Sequence, residues 1–488
     1  MLLATVLGSS MVLLDSTVVN VALPTIGHSL HATLGGLQWT VTAYTLALAG
    51  LILLGGSLGD RLGRRKVFLI GVVWFALASA LCAIAPSIGV LIAARALQGI
   101  GGALLTPGSL AIIQAAFTPD DRPRAVGAWS GLGGVAAAIG PLIGGWLVQA
   151  GGWRWIFLLN LPLAAAVIAV SLRHVPETRD PGAHGKFDVA GAALAALALA
   201  GISYALIEIP ERSAGAFGPI VAGALGIAGG CGFVVLERRR TRGTGPVPPM
   251  LPLDIFRSRQ FSAINAITFL VYGALGGLLF LLVLELQVVS GYSPIAAGAS
   301  LLPFTALSLT LSARAGSLAQ RIGPRWLMTV GLTFAGVGMA LTSRIGAHAS
   351  YVADVLPAVA VFGFGLSITV APLTATVLAS ADVRRAGVAS GVNNAVARAA
   401  GLVAVAALPA VAGLGAASYT QPARFHHGFQ LAVVICSLIL LAAAALTAIL
   451  VDNKVLRPDV MPQCRTSCAI GPPPLEPEPA GVSDPARG

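Results

Sequence analysis

Long apolar runs alternate with short polar segments along almost the whole chain. A helix needs about 20 predominantly apolar residues to cross ~30 Å of hydrocarbon. Runs of that kind stand at 3–26, 38–58, 67–85, 88–113, 125–149 and 155–172, then at 188–208 and 217–237. Six more follow at 261–288, 296–317, 326–344, 350–379, 386–414 and 428–451. The pattern predicts an all-α polytopic membrane protein of about fourteen spans. Six spans precede the polar stretch 173–187 and six follow the basic, proline-rich stretch 238–260. That order predicts two six-helix bundles with an inserted two-helix hairpin (6+2+6). The expected domains are an N-terminal bundle at 1–172, a linker carrying helices seven and eight at 173–260, and a C-terminal bundle at 261–451. A tail at 452–488, rich in Pro, Glu and Gly, is expected to be disordered.

Composition agrees with a lipid-facing surface. Of the 488 residues 56% are hydrophobic and 10% charged, with mean hydropathy +0.86, where a soluble chain carries about 25% charge. The net charge of +11 is scattered through short loops, so a nucleic-acid partner is not expected. Of 30 Lys and Arg, 23 fall on the N-terminal side of the alternation and four on the other, with Arg95, Arg314 and Arg398 inside spans. The positive-inside rule then puts both termini in the cytoplasm of a multi-pass cell-membrane protein. The first run carries Asp15 and Asn20 and continues too far for a cleavable signal peptide. Cys82, Cys231 and Cys436 lie in apolar runs. Cys464 and Cys468 form a CxxxC pair without further ligands, so neither a metal nor a disulfide is expected. No G-x-x-x-x-G-K-[ST] or HExxH occurs, and an enzyme is not expected.

Two loops repeat. Gly56-Ser-Leu-Gly-Asp60-Arg61-Leu-Gly63-Arg64-Arg65-Lys66 and Gly316-Ser-Leu-Ala-Gln320-Arg321-Ile-Gly323-Pro-Arg325 share one frame at the same place in each half. This is an internal repeat of the kind that builds transporters from related halves. Asp60 can pair with Arg61 or with a basic group on a neighbouring helix, as a latch or simply beside a topological anchor. Gln320 removes that pairing from the second copy.

Charges inside spans are costly, about 3 kcal/mol or more, unless they face the bundle interior. Asp15 lies ~18 Å into the first span and Arg95 ~10 Å into the fourth, counting 1.5 Å per residue. A carboxylate near the midplane suits reversible protonation, with a structural hydrogen-bonding role as the alternative. Glu285, near the end of span nine, either titrates, binds a cationic substrate or sits at headgroup level. Arg398, within span thirteen, should point inward. Span five carries Gly127, Gly131, Gly133, Gly134, Gly140, Pro141, Gly144 and Gly145. Pro141 removes a helical hydrogen bond and bends the helix, while the glycines permit close helix approach.

These segments resemble the major facilitator superfamily. Residues 56–66 are similar to its loop motif G-x-L-a-D-r-x-G-r-k, and Arg95 to Gly101 to its R-x-x-q-G-x-g motif. Span five resembles the antiporter motif g-x-x-x-G-P-x-x-G-G through Gly131, Gly140, Pro141, Gly144 and Gly145. Leu14-Asp15-Ser16-Thr17 through Asn20 to Pro24 looks like the signature of the fourteen-helix drug:proton antiporter branch. Trp153-Arg154-Trp155 through Asn160 to Pro162, and Asn394 through Arg398 to Gly401, match the same branch, the tryptophans fitting an external interface. The resemblance implies a monomeric secondary transporter that exports small amphipathic compounds, drugs or antibiotics, by alternating access. It further implies a proton gradient as energy source and no cofactor. Asp15 would carry the proton and Arg95 modulate it. A proton-coupled importer on the same fold is the alternative reading. The preference for Ala, Gly, Val, Leu and Arg fits a GC-rich bacterial gene.

Overall fold

The computed structural model describes residues 1–118, 121–179, 188–211, 215–243, 247, 249–381, 386–415 and 421–456. The tail expectation from 457 on, with Cys464 and Cys468, lies outside them, as do Lys186, Arg212, Arg384 and Arg385. The described residues are helical, with no strand among them.

The first group comprises α1 (Leu2–Ser29), α2 (Leu34–Leu62), α3 (Arg64–Ala83), α4 (Ile88–Ala116), α5 (Arg122–Gly151), α6 (Arg154–Leu158) and α7 (Asn160–His174). Next come α8 (Val189–Glu211) and α9 (Phe217–Arg242). The last group is α10 (Arg259–Leu284), α11 (Pro294–Ala299), α12 (Leu302–Ile322), α13 (Pro324–Leu341), α14 (Leu356–Ala379), α15 (Ala386–Val411) and α16 (Pro422–Leu450). Among the described residues thirteen stretches are long and apolar enough to cross a membrane, and a bent pair, Leu34–Ile52 with Leu54–Leu62 at 49°, makes fourteen if it is one span. Hydropathy leaves four features unread: α6 and α7 divide one span, α11 and α12 divide another, and π-helical turns stand at the end of a third, Glu285–Val289, and at the start of a fourth, Tyr351–Val355.

Helix starts follow local chemistry. Thr33, Ser87, Ser258 and Ser293 each accept an amide hydrogen bond from the first turn of the helix they precede, satisfying donors that hydrocarbon cannot. Asp188 does the same for Gly191 at 2.6 Å, just ahead of α8. Its carboxylate also pairs with Arg240 at the end of α9, closing the α8–α9 hairpin. Burial pushes the Asp188 carboxyl up, but bonds from Arg240, Glu237 and the Gly191 amide outweigh it and hold the group below its usual value. Midway along the hairpin Gly201 and Gly226 bring the two backbones together. The hairpin reaches α2 through Trp39 Nε1, 3.1 Å from Glu208 Oε1, and through the Gly35 amide, 3.0 Å from Glu211 Oε1.

The repeated loops fold alike. Gly63 and Gly323 both adopt a left-handed φ, 116° and 94°, which glycine takes without strain. In each half the segment after the sixth span lies over that glycine: Glu177 over Gly63 and Asn453 over Gly323. Glu177 accepts from the amides of Arg65 and Lys66 at 3.1 Å, anchoring a carboxylate on the start of α3. Asn453 Nδ2 donates instead to the Ile322 carbonyl, at 2.9 Å. These basic loops mark one end of the molecule, called the basic end below.

Candidate functional site

Asp15 and Arg95 are 80 positions apart in the chain and meet in the interior. Arg95 Nη1 stands 2.5 Å from Asp15 Oδ2 and 2.6 Å from Gln98 Oε1. Gln98 Nε2 donates to Asp15 Oδ1 at 2.7 Å and to Ser79 Oγ at 2.8 Å. Asn160, the first residue of α7, donates Nδ2 to the same Asp15 oxygen at 3.0 Å and to Ser79 Oγ at 3.2 Å. Arg95 Nε reaches the Thr40 carbonyl at 3.1 Å, and the guanidinium lies 4.2 Å over the Tyr44 ring and 5.8 Å from Phe157. Side chains of both charged residues are 1% exposed.

The sequence leaves Asp15 either a reversible proton carrier or a structural hydrogen-bonding group, and the structure surrounds it with donors. Three side chains donate to Asp15, one of them a cation, so the ionised form is compensated. The break between α6 and α7 places Asn160 there. Gln98, Ser79, Tyr44 and Asn160 had no charge to single them out, although Gln98 and Asn160 stood inside quoted motifs.

Glu285 is 0% exposed, enclosed by protein. It opens the π-turn after α10, and its Oε1 lies 2.6 Å from His426 Nδ1 on α16. Its second oxygen, Oε2, is buried without a hydrogen-bond partner among the described residues. His426 falls ahead of the predicted start of span fourteen, because α16 begins six residues earlier than hydropathy indicates.

Arg398 on α15 borders a cavity of about 230 Å³ with Tyr272, Thr374, Ser390, Asn393 and Asn394 among its walls. It is neither beside Asp15 nor beside Glu285, so the predicted charged residues occupy three places rather than one.

The glycines of α5 divide into two sets. At the end away from the basic loops, Gly145 would put a Cβ 2.5 Å from the Pro294 carbonyl, Gly144 lies against Val18, and Gly140 meets Thr17. Gly298 of α11 is pressed on the Pro141 carbonyl. Gly127, Gly131 and Gly134, nearer the basic end, face open space, while Gly133 among them packs on Leu13 of α1. Hydrogen bonds from Gln38 to the Val405 carbonyl (2.7 Å) and from Gln287 to the Val21 carbonyl (2.9 Å) also join the two groups at the far end. This arrangement is sealed at the far end and parted along α5 toward the basic end.

In the basic loop Asp60 pairs with Arg64 (2.8 Å), within the first group of helices. Gly56 packs on Pro107, and Arg61 has a partner of its own. The predicted interfacial tryptophans separate: Trp155 is 52% exposed, but Trp153 is buried, with Arg154 stacked 4.3 Å over it.

The family model described as Major Facilitator Superfamily matches residues 5–406. The chain is 38% identical over 395 residues to the multidrug resistance protein Stp of Mycobacterium tuberculosis, covering 81% of this chain and 72% of that one. It is 35% identical to the puromycin resistance protein pur8 of Streptomyces alboniger, covering 91% and 89% respectively. The fold is similar to the crystal structure of an auto-inhibited POT family peptide transporter, at TM-score 0.66 and 18% identity, over 90% of this chain and 96% of that one.

Proposed function

This chain belongs to the major facilitator superfamily and is a multi-pass membrane transporter rather than an enzyme, and from that premise we propose that it exports small amphipathic organic compounds in exchange for protons. The basic end is cytoplasmic, with both termini on that side of a bacterial cell membrane. Kinship with drug and antibiotic resistance proteins supports efflux. The observation that carries the proton reading is the sealed Asp15–Arg95 pair in a molecule parted toward the basic end.

The cycle follows from differential stabilisation of two conformations. With the cytoplasmic side open, Asp15 is ionised and held by Arg95, Gln98 and Asn160. That state has released its proton and admits the compound. Reorientation parts the far-end contacts of α5 with α1 and α11 and exposes the pair to the outside. A proton reaching Asp15 removes the partner of Arg95, and stranding one member of a buried pair costs about 3–5 kcal/mol. The protonated state therefore favours the arrangement in which Arg95 finds another acceptor. Glu285 with His426 is the second acid–base pair available near the outer side.

Inverted membrane vesicles given an acid interior and a panel of amphipathic dyes of both charge signs test the reading. Uptake that collapses with a protonophore and disappears in Asp15→Asn is expected. Flux in the opposite direction selects the importer, and undiminished flux in the variant overturns the role of Asp15.

A further inference from the structure

The geometry points to Arg398 as an anion-recognition site, with its cavity receiving the carboxylate or phenolate head of the transported compound. This inference rests on the export reading and names the chemistry of its substrate.

A guanidinium within a span is costly unless something compensates it. Arg95 is compensated by Asp15. Arg398 has neither an ion pair nor a hydrogen bond among the described residues, and no Asp or Glu borders its cavity. The amides beside it are engaged elsewhere. Asn393 Nδ2 donates to Thr268 Oγ1 at 2.8 Å and Asn394 Nδ2 to the Ser390 carbonyl at 3.1 Å. The hydroxyls of Tyr272 and Ser390 are not so engaged and stand as donors at the same cavity. A lone cation with hydroxyl donors and no acidic neighbour is complementary to an anion, and the planar guanidinium fork matches a carboxylate in two hydrogen bonds.

Size and position agree. The cavity holds about 230 Å³, roughly eight waters at ~30 Å³ each, which is below the ~300–1,000 Å³ of sites that enclose a whole drug-sized molecule. It suits an acidic head whose remainder extends along the parted space between the helix groups. Its walls include the last turns of α14 and the first turns of α15, toward the basic end where α5 is also open.

The test uses the full chain in lipid nanodiscs with two isosteric probes, 2-naphthoate and neutral 2-naphthamide. Wild type is expected to bind naphthoate about tenfold more tightly than naphthamide, equivalent to about 1.4 kcal/mol, and to be thermally stabilised by it. Arg398→Gln should erase both the preference and the stabilisation without weakening naphthamide binding, and Arg398→Lys should keep part of the preference. Equal binding of the two probes, no naphthoate binding, or a preference that survives Arg398→Gln overturns the inference. If Arg398→Gln unfolds, Arg398→Lys and the wild-type probe pair still decide it. No gradient is involved, so naphthoate binding without proton-driven flux would sink the antiport reading while leaving the anion site standing.

Discussion

Replacing the Asp15 carboxylate by an amide perturbs the interior cage without changing its volume. Gln98 Nε2 and Asn160 Nδ2 both aim at Oδ1, while Arg95 Nη1 aims at Oδ2. An asparagine has one acceptor oxygen, so either its NH2 faces the guanidinium or it faces two amide donors. Arg95 keeps the Thr40 carbonyl and Gln98 Oε1 but loses its counter-ion at 1% exposure. Stranding a buried charge in this way costs about 3–5 kcal/mol, at least a hundredfold in the folded-to-unfolded ratio. Unfolding of Asp15→Asn, Arg95→Gln and the double variant in detergent completes a double-mutant cycle. The expected coupling is about 2 kcal/mol or more, with the double variant more stable than the sum of its parts. Coupling below about 0.5 kcal/mol, with Asp15→Asn as stable as wild type, would refute the claim that the cage sustains an ionised Asp15.

Gly298→Ala drives a methyl group into the Pro141 carbonyl, so spin labels on the far ends of α5 and α11 should move apart and flux should fall. Gly131→Ala has room and should leave thermal stability unchanged or slightly raised, by up to about 1 kcal/mol, while slowing flux in the vesicle assay. Glu285→Gln retains a hydrogen bond to His426 and should preserve folding while changing the pH profile of flux; an unchanged profile assigns the pair to structure alone. The Asp188 carboxyl is held below its ordinary value, so its contribution is complete above about pH 4 and is lost only as pH falls through the lowered folded value. Hydrogen exchange at the Gly191 amide should therefore stay slow through mild acid and quicken below about pH 4. In Asp188→Asn it should be fast at every pH.

Spans were legible because hydrocarbon demands apolar length, and interior charges were legible because each is anomalous there. What they pair with was not, since the Asp15–Arg95 contact is made by helix packing across 80 positions. Neutral members of the cage, Ser79 and Asn160 among them, resemble ordinary polar residues of a packed bundle. The surroundings of Glu285 were hidden for a related reason. Its position at the end of a hydropathic run says nothing about burial, and the two polar histidines at 426–427 concealed the first turns of α16 that cover it. The engaged and open glycines of α5 are identical as letters; only packing separates them.

That division has a bearing on mutational tolerance. A substitution scan scored by folding would rate Gly127, Gly131 and Gly134 as permissive, since nothing in this arrangement occupies the adjacent volume. If the same volume is filled when the basic end closes, bulk added there leaves a well-folded protein arrested halfway through its work. Yield and activity would then diverge along a single helix face, and a small molecule wedged into that vacant strip would arrest the protein in the same way, without competing for the substrate.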